Sequence, residues 1–78
     1  MGADDPDDEA VVQAAASAAE NVVFSRYSQS ELRDVDVTVT FEDGQLDVDV
    51  YLDAPGDAEQ VAEDAVLAAR RAADDLLL

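Results

Sequence analysis

Cysteine, histidine, lysine and tryptophan are all missing from this chain of 78 residues. Without cysteine, no disulfide staples a small domain and no thiolate holds zinc. Without histidine, the commonest acid–base group near neutrality and the commonest metal ligand are gone. With no lysine and only four arginines, the basic stripe that nucleic acid demands is lacking too. The three glycines are scattered, so no phosphate-cradling loop forms. Aromatics are confined to Phe24, Tyr27, Phe41 and Tyr51. No apolar run approaches the ~20 residues of a membrane span. The first residues, Met1-Gly2-Ala3-Asp4-Asp5, are acidic where a secretory signal is basic and then apolar. The expectation is a cytoplasmic protein with no membrane partner, no DNA partner, no cofactor and no catalytic or metal site, and with RNA disfavoured.

What is present is acid. Fourteen aspartates and six glutamates against four arginines give a formal net charge of -16. Such a charge opposes compaction through self-repulsion. In molar salt the Debye length falls to about 3 Å and the repulsion is largely screened. An acidic, lysine-free chain with sound apolar patterning therefore points to a salt-rich, halophilic archaeal cytoplasm. The apolar share of 49% includes fifteen alanines, which bury little area each. A single core this size rarely supplies more than about 3–5 kcal/mol. High salt or self-association is expected to make up the difference.

The chain reads as one domain over residues 1–78, with an acidic, disordered tail over 1–5. A helix is predicted from Pro6 to Tyr27. Asp5 suits the N-cap and Pro6 the first helical position. Asp7, Asp8 and Glu9 suit the positive end of the helix dipole, and Arg26 the negative end. Val11, Val12, Ala15, Ala18, Ala19, Val22 and Val23 form one apolar stripe. Ser28 to Arg33 is a connector in which Ser28 or Ser30 caps a short turn and Leu32 plugs the core.

Residues 35–52 alternate strictly. Val35, Val37, Val39 and Phe41, then Leu46, Val48, Val50 and Leu52, share one face of two strands. Asp43-Gly44 between them is the preferred pair for a two-residue type I′ turn. That turn sets Phe41 opposite Leu46, Val39 opposite Val48, Val37 opposite Val50 and Val35 opposite Leu52. A slip of one residue destroys every match. After the Ala54-Pro55-Gly56 turn, Asp57 caps a second helix with Gln60 as its capping-box partner. Val61, Ala62, Ala65, Ala68, Ala69, Ala72, Ala73 and Leu76 form its buried stripe. Its charged face invites pairing between Glu63 and Arg70 and between Arg71 and Asp75.

The fold class is α+β: a two-layer α-β-β-α unit, an antiparallel hairpin with two helices on one face. Two strands make a narrow platform, and both are edges. A homodimer that joins two hairpins into a four-stranded sheet relieves both problems.

Candidate sites are few. The acidic run Asp4-Asp5-Pro6-Asp7-Asp8-Glu9 lacks the spacing of a calcium loop and reads as helix capping and a solvated tail. Asp36, Asp47, Asp49 and Tyr51 share the wet sheet face. Paired carboxylates can do acid–base work, but a bare two-stranded face offers no desolvating pocket. Arg26, Arg33, Arg70 and Arg71 read as partners for the chain's own acids. Phe24 and Leu67 are large apolar groups on otherwise polar helix faces, which marks contacts. Tyr51 on the open sheet face and Leu78 at the end of Leu76-Leu77-Leu78 complete a candidate interaction surface.

Leu32-Arg33-Asp34-Val35-Asp36-Val37-Thr38-Val39, the hairpin, and Ala68-Ala69-Arg70-Arg71-Ala72-Ala73-Asp74-Asp75-Leu76 together resemble a small archaeal domain-of-unknown-function family, in a haloarchaeal version. The resemblance covers most of the chain beyond the acidic N-terminus and carries no catalytic signature. Genes of that family often lie beside the gene for the prefoldin beta subunit, which implies by association a link to protein folding or translation. The functional expectation is a non-enzymatic protein–protein interaction module that binds a protein partner. The alternative is a small RNA- or ribosome-associated domain.

Overall fold

The computed structural model describes residues 8–77. Four elements follow in order: α1 (Asp8–Arg26), β1 (Asp34–Glu42), β2 (Gln45–Asp53) and α2 (Ala58–Leu77). Asp8 and Glu9 occupy the first turn of α1 and Arg26 its last, as dipole complementarity favours. The expected cap at Asp5, the proline at position 6 and the disordered tail lie outside the described residues. The helix ends one residue before the expected Tyr27. Its ladder still reaches that residue, whose N–H donates to the Val23 carbonyl at 3.0 Å.

The hairpin has the expected register over all nine pairs, from Asp34–Asp53 to Glu42–Gln45. Asp43 and Gly44 both take positive φ, 51° and 76°. That is the left-handed pair a type I′ turn requires, and it explains why aspartate precedes glycine here.

One face of the hairpin meets both helices, α1 lying over β1 and α2 over β2. The other face, with Asp36, Thr38, Thr40, Asp47, Asp49 and Tyr51, is exposed. The buried core, however, lies in the seam where the helices meet each other and the sheet. It comprises Val11, Ala15, Ala19 and Val23 of α1 and Val61, Ala65, Ala69 and Ala73 of α2. The four-residue spacing on both helices places small side chains in one row, which allows close interaxial approach. The apolar strand residues pack on this core yet remain half-buried, because two strands are too narrow to be covered from both flanks.

The buried stripes are narrower than the sequence pattern suggested. Val12, Ala18, Val22, Ala62, Ala68 and Ala72 are half-buried flanks. Leu76, expected in the core, is exposed at 41%. Leu76 and Leu77 lie past Ala73, the last buried residue of α2, where the antiparallel α1 offers only its exposed first turn, Asp8–Ala10.

The open end of the hairpin, opposite the Asp43-Gly44 turn, is tied by local bonds. In the connector, the Ser28 N–H donates to Glu31 Oε1 at 2.9 Å and the Glu31 N–H to the Ser28 carbonyl at 3.0 Å. The carboxylate of Glu31 closes this turn. The Ser28 hydroxyl donates to it at 3.2 Å and accepts no backbone N–H among the described residues, so neither Ser28 nor Ser30 caps the turn as expected. Leu32 packs against the core. Tyr27 Oη donates to the Pro55 carbonyl at 2.8 Å, joining the end of α1 to the β2–α2 turn. In that turn Gly56 has φ 82°, which a side chain would strain. The Gln60 N–H donates to Asp57 Oδ1 at 3.4 Å, so Asp57 caps α2. The expected reciprocal half of the capping box is absent. Gln60 Nε2 donates forward to Asp64 Oδ1 instead, at 3.1 Å.

Candidate functional site

Placement of the singled-out residues follows from helix geometry. Phe24 directly follows the buried Val23, so it is turned about 100° away from the seam. It is 49% exposed, among exposed Gln13, Ser17, Glu20 and Asn21. Leu67 is two residues past buried Ala65 and two before buried Ala69, at the centre of the outer face of α2. It is 59% exposed. Tyr51 projects from the open sheet face and is 57% exposed. Leu77 at the end of α2 is also exposed, while Leu78 lies outside the described residues. The structure does not gather these groups into one patch: Phe24, Leu67 and Tyr51 belong to α1, α2 and β2 in turn.

The arginines are arranged otherwise than the helix surface suggested. Among the described residues the one ion pair is Arg26–Asp64, at 3.1 Å. It joins the end of α1 to the first half of α2, which fixes the helices as antiparallel. With side chains 51% and 28% exposed, it contributes under about 1 kcal/mol, and less in salt. The expected pairs Glu63–Arg70 and Arg71–Asp75 do not form. Arg70 lies seven positions beyond Glu63, about two turns along the helix, and Arg71 is exposed.

Three shallow concavities flank α2 and the loop end. One lies between β2 and α2, with Val48, Val50, Ala62, Val66 and Leu67 in its lining. A second lies between the helices and is lined by Val22, Arg26, Asp64, Leu67, Ala68 and Arg71. A third holds Ser30, Glu31, Arg33 and Asp53. Leu67 therefore forms the ridge between two grooves, a position the sequence pattern could not reveal. Three of the four arginines, Arg26, Arg70 and Arg71, line those same two grooves. The acids of the open sheet face lie elsewhere. Among the described residues no group of three or more acids gathers as a metal would require, and no helix is long and apolar enough to cross a membrane.

An uncharacterized protein of the haloarchaeon Natronomonas pharaonis is 53% identical over 81 residues, covering 97% of this chain and 98% of the relative. No solved structure matches the chain. The model of the family described as protein of unknown function (DUF3194) matches residues 4–76, and with nearly the whole described fold inside that match, the chain belongs to this family.

Proposed function

We propose that the chain is a non-enzymatic protein-binding module of a salt-adapted archaeal cytoplasm. One observation carries the reading: Phe24 and Leu67 stand exposed at the centres of polar helix faces, while the buried core of the described residues is alanine and valine. A domain so short of apolar bulk leaves two of its largest side chains outside. Anchors of this kind dominate protein interfaces.

Two further features support it. A carboxylate pair acting as acid and base needs one partner withdrawn from water, and Asp36, Asp47 and Asp49 are all exposed. The RNA-associated alternative needs stacking aromatics and cations on one surface. Tyr51 instead stands among those aspartates, away from the arginines of α2. A link to protein folding or translation rests on the family resemblance alone.

Affinity capture from native cells in molar KCl tests the proposal, using the wild-type chain beside Phe24→Ser and Leu67→Ser. The expected result is a defined protein retained by the wild type and lost from at least one variant. Recovery of ribosomal RNA instead supports the alternative. Retention unchanged by both substitutions overturns the assignment of these anchors.

A further inference from the structure

The groove between β2 and α2, about 520 Å³ in volume, combines three features. It is floored by half-buried Val48, Val50 and Val66. It carries both signs of charge on one helix, with Glu63 and Arg70 in its lining. And it runs beside a strand edge left unpaired among the described residues, which form a sheet of two strands.

The hairpin register determines what that edge offers. Glu42 and Gln45 flank a two-residue turn and form a hydrogen-bonded pair. Bonding to β1 then falls to Gln45, Asp47, Asp49, Tyr51 and Asp53. Leu46, Val48, Val50 and Leu52 direct their N–H and C=O groups outward. The residues that floor the groove are thus the ones with free backbone groups.

We propose that a second copy of this chain fills the groove. Its β2 pairs antiparallel with β2, and the two α2 helices close over the join. One two-fold axis relates both contacts, because α2 lies over β2 and the groove brings the centres of the two elements to one level. An antiparallel pairing of α2 about a point between Val66 and Leu67 sets Glu63 against Arg70 of the second copy, and Arg70 against its Glu63. Val66 and Leu67 fall between these pairs. The hairpins become a four-stranded sheet with two of its four edges removed.

Charge selects this flank over the other. In a chain of net charge -16 most faces would set acid against acid. On the β1 flank, α1 carries Asp8, Glu9 and Glu20, and its single arginine, Arg26, is engaged by Asp64. On the β2 flank the same pairing sets Glu63 against Arg70 twice beside the axis, with Glu59 facing Asp74 farther out. Arg70 thus supplies near the axis the free base that α1 lacks. Leu67 belongs to this contact, which leaves Phe24 for a different partner.

Sedimentation at the lowest KCl concentration that preserves the circular dichroism spectrum tests the proposal. The wild-type chain should be a dimer. Glu63→Arg and Arg70→Glu should each weaken it about tenfold or more, since each sets like charges against each other. Both residues are exposed, so the fold should survive. An equimolar mixture of the two variants should restore the dimer as a heterodimer. A wild-type chain that stays monomeric at high micromolar concentration overturns the proposal. So does a dimer that neither variant weakens, or whose mixture is no stronger than its parts. Partner capture that depends on Phe24 survives either failure, so this proposal and the protein-binding reading are separable.

Discussion

Val23 and Phe24 are neighbours in sequence with opposite fates. Val23 is one of the two largest fully buried side chains; Phe24 is half in water. Val23→Ala should cost about 2 kcal/mol, the transfer term for two buried methyl groups plus the cavity left behind. In a domain this small that is a large fraction of the total. Phe24→Ala, a greater loss of volume, should cost under about 1 kcal/mol, because no cavity forms. Urea unfolding of both variants in molar KCl measures the contrast. If Phe24→Ala proves the more destabilising, Phe24 packs within the domain and the anchor assignment fails. Tyr27→Phe should cost about 1 kcal/mol through the lost bond to the Pro55 carbonyl. A thermal melt in the same buffer checks it.

At the level of elements, the hairpin was the most legible part of the chain. Strict alternation names the faces, and Asp43-Gly44 fixes the register, so both strands and every pairing follow from local sequence. Gly44→Ala should cost about 1 kcal/mol, since a side chain at φ 76° meets the left-handed penalty even with open space around it. Denaturation midpoints of the variant and wild type test this, and equal midpoints would mean the turn relaxes to another type. The helices were legible in position and outward face but not in depth. Alanine stripes three to four residues wide do not reveal which row meets the partner helix, so Leu76 reads as core yet lies outside it. Arg26–Asp64 and the forward bond of Gln60 depend on the second helix and its surroundings, which no local pattern encodes. The β2–α2 groove belongs to the same class: it exists only once α2 lies over β2.

For the molecule as a whole, charge sets the conditions of folding. The alanine seam supplies little burial per residue, and sixteen uncompensated negative charges oppose it. Thermal midpoints followed by far-UV circular dichroism should rise from dilute buffer to molar KCl. Each kcal/mol of relieved repulsion corresponds to about 4–8 °C in a domain of this size. Identical midpoints in the two media would show that the acidic surface does not need screening.

The antiparallel helices also set the mechanics of the chain. Asp8 and Leu77, the outer ends of α1 and α2, emerge side by side at the end of the molecule that holds the Asp43-Gly44 turn. A load applied through both ends would act across the seam, parting the rows of alanine and valine one rung at a time instead of shearing them together. Each rung is small, so the domain should yield by unzipping at low force, with the Tyr27–Pro55 tie at the far end the last to open.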